Sequence, residues 1–207
     1  MTVPMALTDF VPVGLFLASA LLLQKDLYGR MSRGAYSLFS AGTLMIFLAG
    51  FCKAGWKLLY ALGVCDFQPL NSMFFPVQSL GFVLTAAGLV WMLTAKKNGT
   101  TAAFAAVPPV FTGTMVFVAM TVLGTTGLCA SLCVLAARIG RKKAILWFAL
   151  AFVLMLGMGY LSSRDFAQAS SHWMAEGTNI AAQGIFLAGV LDLHRNGLGK
   201  GKAKSEE

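Results

Sequence analysis

Residues 98–138 read NGTTAAFAAVPPVFTGTMVFVAMTVLGTTGLCASLCVLAAR, and the number of times this stretch crosses a membrane decides the fold. One reading makes it a single long helix after a re-entrant segment at 105–109, where two prolines follow Ala105, Ala106 and Val107. The other makes it two short spans, 101–119 and 121–137, turning at Gly124-Thr125-Thr126-Gly127, a cluster of helix-breaking residue types. Both readings presuppose a membrane chain. With 57% hydrophobic and 12% charged residues, the sequence carries apolar runs of about 20 residues along its whole length, the signature of spanning helices. The runs do not alternate as the strands of a barrel would.

Charge placement chooses between the two. Basic residues concentrate on the cytoplasmic side of membrane proteins. With two spans in 98–138 and the N-terminus outside, Lys25, Arg30, Arg33, Lys96, Lys97, the 138–143 cluster and the basic tail all fall inside. Only Lys53, Lys57 and Arg164 then remain outside. With a single span, the 138–143 cluster and the tail would both move outside. The expectation is therefore an all-α polytopic protein with seven transmembrane helices at about 9–23, 35–62, 72–94, 101–119, 121–137, 144–161 and 173–193. Residues 1–195 form the membrane domain and 196–207 a disordered basic cytoplasmic tail. The plasma (cytoplasmic) membrane is the expected location.

Several function classes fall away. The net charge of +8 sits between apolar runs and in the tail, where it sets topology rather than binding nucleic acid. Residues 11–23 lack the preceding basic residue and the small-residue cleavage site of a signal peptide, so they read as the first span. Cys52, Cys65, Cys129 and Cys133 form no C-x-x-C pair and read as small buried apolar residues. No cofactor is implied.

The last apolar segment carries the clearest functional signal. His172, Glu176, Asn179 and Gln183 are spaced four, three and four apart, within an arc of roughly 60° on a helix. Polar groups in hydrocarbon are costly and normally face a bundle interior or a wet cavity. Across from them run Gly177, Ala181, Gly184 and Ala188, which would let a neighbouring helix approach closely. One face would pack tightly while the other is polar, so this helix is expected to be central; a homo-oligomer is left open, with no surface assigned to it. Phe186 and Val190 continue the polar stripe as an apolar floor. The third segment offers a matching face, with Asn71, Gln78 and Thr85 seven apart and Phe75 and Phe82 between them. Lys53 and Lys57, at the same expected end, are the natural partners of Glu176.

Spans one to three and five to seven read as two copies in one orientation. A shift of 101 residues places Asn71 over His172, Gln78 over Asn179 and Gly88 over Gly189. A three-plus-one-plus-three plan with an outside N-terminus is similar in outline to the SWEET-type sugar carriers and the microbial opsins. The likeness is one of fold alone. The seventh segment has no lysine for a retinal Schiff base, and the Pro-Gln pair of the carriers is missing, Pro76-Val77-Gln78 being only a near miss.

The expected function is a membrane carrier or solute-binding protein for a small polar or amphipathic solute. Its pocket would open outward between the second, third and seventh spans, lined by Lys53, Phe75, Gln78, Phe82, His172, Glu176, Asn179 and Gln183. Two alternatives stand beside it. One is a lipid-acting enzyme with His172 and Glu176 as acid–base groups at headgroup level; the other is a receptor or accessory subunit signalling through the basic inner loops. No nucleophile–base pair or metal-ligand set is recognisable, which leans against catalysis.

Overall fold

The computed structural model describes residues 3–94, 114–162 and 169–198. Their regular structure is all helical: α1 (Val3–Thr8), α2 (Phe10–Leu27), α3 (Arg33–Ala61), α4 (Gln68–Ser72), α5 (Phe74–Thr94), α6 (Thr114–Arg138), α7 (Lys142–Ser162) and α8 (Ala169–Leu193). A π-helical turn, His194–Leu198, extends α8. Four stretches, Val3–Leu27, Arg33–Ala61, Gln68–Thr94 and Met115–Arg138, are long and apolar enough to cross a membrane. This is an integral membrane protein.

Local chemistry marks the ends of the helices. Ser32 caps α3 by accepting from the Ala35 backbone N–H at 3.3 Å. Gly63, at φ +69, ends the same helix; its N–H reaches Tyr60 O at 3.1 Å and the Val64 N–H reaches Leu59 O at 3.1 Å. Gly140, at φ +77, ends α6 in the same way, with Gly140 N to Ala137 O at 3.0 Å and Arg141 N to Ala136 O at 2.8 Å. Both are Schellman caps, whose left-handed residue is glycine because a Cβ would be strained there.

The six long helices form a ring in the order α2, α3, α5, α6, α7, α8, with α8 closing on α2. Most neighbours are antiparallel. Two pairs are parallel: α2 meets α8 through Asp9 and Glu176 at one end and Asp26 and His194 at the other. The second is α5 with α6, where Gly124 packs on Phe82, Gly127 on Ala86, and Arg138 donates to Leu93 O at 3.2 Å.

These contacts correct the division of 98–138. The expected turn at Gly124–Gly127 does not exist: α6 runs unbroken from Thr114 to Arg138. The glycines serve contact instead. A Cβ at Gly124 would lie 2.6 Å from the Phe82 carbonyl carbon, and one at Gly127 would lie 2.8 Å from Ala86 Cβ. Helices in lipid associate by close packing of small residues, so glycine there marks an interface more readily than a turn. The Thr126 hydroxyl bonds back to Val122 O at 2.7 Å, which removes its turn-forming tendency. Residues 101–113 of the expected fourth span lie outside the described residues.

The core is concentrated toward the end that carries Asp26. Phe39, Phe148, Phe186, Leu23, Leu27, Leu89 and Leu132 are fully buried. Phe148 and Phe186 meet edge to face at 5.6 Å. Glycines admit close neighbours here: Gly88 of α5 packs on the backbone of α3 at Ala35 and Phe39, and Gly189 of α8 packs on the Phe148 ring of α7.

At the Asp26 end the chain is strapped shut. His194 Nδ1 lies 2.9 Å from Asp26 Oδ2, Arg30 donates to Leu198 O at 2.9 Å, and Arg141 donates to Asn196 O at 2.9 Å. Leu198 is buried beneath. The described chain runs to Leu198, and the rest of the expected tail, from 199 on, lies outside the described residues.

Candidate functional site

At the opposite end of the ring four charged side chains come together, from α3, α8 and the junction before α2. Asp9, between α1 and α2, is 6% exposed and paired with Lys57 of α3. Glu176 of α8 is 9% exposed and lies against Asp9, with Lys57 and Lys53 within electrostatic reach. Glu176 Oε1 is buried and has no hydrogen-bond partner among the described residues. The Lys53 ammonium lies 3.8 Å from the centre of the Phe74 ring and 5.8 Å from that of Phe75. A cation over an aromatic face is held by the ring quadrupole.

The formal charges of this quartet sum to zero, yet the pairing is uneven. Asp9 and Lys57 satisfy one another. The Glu176 carboxyl lies against Asp9 with its Oε1 unpartnered, and the close partner of the Lys53 ammonium is a ring. Withdrawing an ion from water costs several kcal/mol, which only good pairing repays. Side chains kept in this condition within a membrane chain commonly mark a path or binding site for solutes or ions.

The helix arrangement explains how they meet. Asp9 stands immediately before the apolar run of α2, Lys57 lies in the last turns of α3, and Glu176 lies about two turns into α8. Because α2 and α8 are parallel and α3 is antiparallel to α2, all three positions fall at one depth. Around them, Trp56 stacks with Tyr60 at 5.9 Å and donates to Asp66 Oδ1 at 2.9 Å. Such amphipathic rings sit at the membrane–water boundary.

The expected site residues separate into groups. Lys53 and Glu176 come together. Asn179, Gln183 and Gln78 are half-buried, and Gln183 Oε1 is buried with no hydrogen-bond partner among the described residues. Phe75 is 40% exposed on the outside, so Phe74 is the aromatic wall. Phe82 is spent in packing against α6, and Thr85, on the same expected polar face, is wholly buried with its hydroxyl on Gly81 O at 2.8 Å. The His172 side chain lies outside the described residues. Among the described residues nothing lies within 4 Å of where Cβ atoms of Gly177 and Gly184, on the small-residue face of α8, would stand.

Two participants had no clear signal in the sequence. Asp9 reads as the first residue of a span, and only the depth match to Lys57 and Glu176 distinguishes it. Phe74 is one of two adjacent phenylalanines, and helix phase alone chooses between them.

Below the quartet the ring is closed. A void of about 10 Å³, room for about one water molecule, lies among Phe16, Thr43, Thr85, Leu128 and Phe186. A larger groove of about 260 Å³ lies at the Asp26 end against Ala188, Asp192, Arg195 and Asn196. Among the described residues no three His, Cys, Asp or Glu side chains gather to hold a metal ion.

An all-α integral membrane protein with a buried, charge-balanced cluster at one end of a helix ring is the class these features define. No protein-family model, curated protein or solved structure matches the chain.

Proposed function

We propose that the chain is a small membrane carrier whose solute site is the quartet end of the ring, between α2, α3 and α8. The observation that carries this reading is Glu176, nine-tenths buried with an oxygen unpartnered, in a cluster joining the first helices to the last. The quartet and the Asp26–His194 strap link α2 to α8 at opposite ends, with apolar side chains between them. Contacts of this kind act as two gates in a protein that opens alternately to each side.

Two further features support the reading. Thr94 and Thr114 lie at opposite ends of the ring, because α5 and α6 are parallel. That arrangement is in keeping with the seven-span reading. The order of the ring is also compatible with the expected repeat: matching α2, α3 and α5 to α6, α7 and α8 carries each neighbour pair onto another neighbour pair. Parallel repeats of this sort underlie several carrier folds.

Orientation follows from charge. Lys25, Arg30, Arg33, Arg138, Arg141, Lys142 and Lys143 belong to the Asp26 end, which is then cytoplasmic, and the quartet faces outward. Cys65, in the exposed loop after α3, should be labelled on intact cells by a membrane-impermeant maleimide. Cysteine placed at Ser32 in a cysteine-free background should react only after permeabilisation. The reverse pattern would invert the topology.

The functional test is uptake. Replacing Glu176 and Gln183 together by leucine should abolish solute accumulation by cells, more than about 100-fold, while the protein still reaches the membrane. Loss of one charge-assisted and one neutral hydrogen bond is enough for that. Uptake that survives the double replacement sinks the carrier site.

A further inference from the structure

We infer that the quartet recognises a small zwitterion, a solute with one ammonium and one carboxylate, held between Glu176 and Lys53. The inference rests on the carrier reading for its site and adds the ligand's chemistry. Its ground is the uneven pairing described above. Asp9 and Lys57 form an ion pair, which leaves one acidic and one basic side chain, Glu176 and Lys53, with no ion-pair partner of their own among the described residues of the same end. Glu176 is nine-tenths buried and its Oε1 lacks a hydrogen-bond donor. Lys53 has no carboxylate within ion-pair distance among the described residues; its ammonium rests on Phe74.

Alternative ligand chemistries fit less well. A simple anion would satisfy Lys53 and leave the Glu176 oxygen without a donor, with added repulsion from Asp9 beside it. A simple cation would satisfy Glu176 and crowd Lys53 and Lys57. An uncharged sugar would bring hydroxyl groups but would leave both formal charges without counter-charge in a poorly solvated place. A zwitterion supplies an ammonium that donates to Glu176 and a carboxylate that accepts from Lys53. It leaves the summed charge of the site unchanged, so no net charge is carried into low dielectric. Phe74, already against Lys53, presents an apolar edge to the methylene groups between the two ends. The ligand's charges thereby replace water at both unspent groups.

The discriminating experiment uses the full chain in lipid nanodiscs, with thermal unfolding and calorimetric titration as readouts. The probes are glycine, β-alanine, γ-aminobutyrate and L-alanine, beside N-acetylalanine, which lacks the ammonium, and alaninamide, which lacks the carboxylate. At least one zwitterion should raise the unfolding temperature and bind, and both blocked compounds should bind at least about tenfold more weakly, the scale of one charge-assisted contact. Glu176→Gln and Lys53→Gln keep the side-chain reach while removing charge. Each should lower zwitterion affinity by at least about tenfold, and Glu176→Gln should spare any residual binding of N-acetylalanine.

Equal binding of N-acetylalanine and L-alanine would overturn the inference in favour of an anion site. Equal binding of alaninamide would do so in favour of a cation site, and no binding of any zwitterion in the panel would end it. Flux into proteoliposomes separates this from the carrier reading. Zwitterion binding without flux removes the carrier and leaves the ligand class. Saturable flux of an uncharged solute, with no zwitterion bound, removes the ligand class and leaves the carrier.

Discussion

Replacing Gly42 by leucine should eliminate folded protein, and replacing it by alanine should cost about 3 kcal/mol, the upper end of ordinary overpacking. The reason lies in how closely α3 and α5 approach. A Cβ at Gly42 would meet the Thr85 hydroxyl, lie 2.5 Å from the Thr85 backbone nitrogen and 2.6 Å from Gly81 O. In return, a Cβ at Gly81 would lie 2.9 Å from Gly42 O. Backbone is on both sides of the contact, so no side chain can rotate away. Relief requires the two helices to separate, and separation opens the contacts at Gly88 and Phe39 along the same seam. Lipid offers no compensating hydrophobic drive, because a separated helix is as well solvated by acyl chains as by its neighbour. The measurement is the folded peak in size-exclusion chromatography together with the unfolding midpoint in detergent. Gly55→Ala is the control: nothing lies within 4 Å of its Cβ position, so the change should be neutral or gain a few tenths of a kcal/mol from helix propensity. A stable Gly42→Leu protein would mean that α3 and α5 do not pack in this way.

The second large effect is expected at Lys57. Lys57→Met should cost about 3 kcal/mol, the low end for breaking a buried ion pair, because Lys57 is 22% exposed and Lys53 stands near. The penalty comes from Asp9, which is 6% exposed and would be left facing Glu176 without its cation. Removing both partners, Asp9→Leu with Lys57→Met, should restore most of the loss, since an apolar pair needs no counter-charge. The double-mutant cycle in reversible unfolding reads this directly. A double variant no more stable than the single would show that Lys57 acts through something other than Asp9. Stability and transport should part company here: the restored protein folds, and the site beside Glu176 no longer has its charge balance. Natural proteins commonly keep such costly groups where function needs them.

Much of the fold is legible in periodicity and hydropathy. The first three spans were expected at 9–23, 35–62 and 72–94, and the helices run Phe10–Leu27, Arg33–Ala61 and Phe74–Thr94. Apolar runs bounded by charge leave little freedom in their placement. The 98–138 region was harder, because glycine and threonine have opposite meanings in water and in lipid. In water they break helices; in lipid they allow helices to touch. Gly124 and Gly127 took the second role, and nothing in the local sequence distinguishes it from the first. The same ambiguity holds on α8, where Gly177 and Gly184 were expected to pack and have no neighbour within 4 Å of their Cβ positions among the described residues.

For the site, the sequence by itself determined which side chains pay a cost for being in an apolar helix, and so it singled out Glu176, Gln183 and Lys53. Depth along the membrane can also be read from it, because each residue of helix advances a fixed distance from a charged boundary. Azimuth cannot. Which face of α3 meets α8, whether Phe74 or Phe75 turns inward, and whether Asp9 or solvent receives Lys57 all depend on how the ring closes. That closure rests on contacts between residues far apart in the chain, such as Asp26 with His194, and on glycines whose value lies in the neighbour they admit. Only the tertiary structure decided those, because close packing is a property of two surfaces and a sequence presents them one at a time.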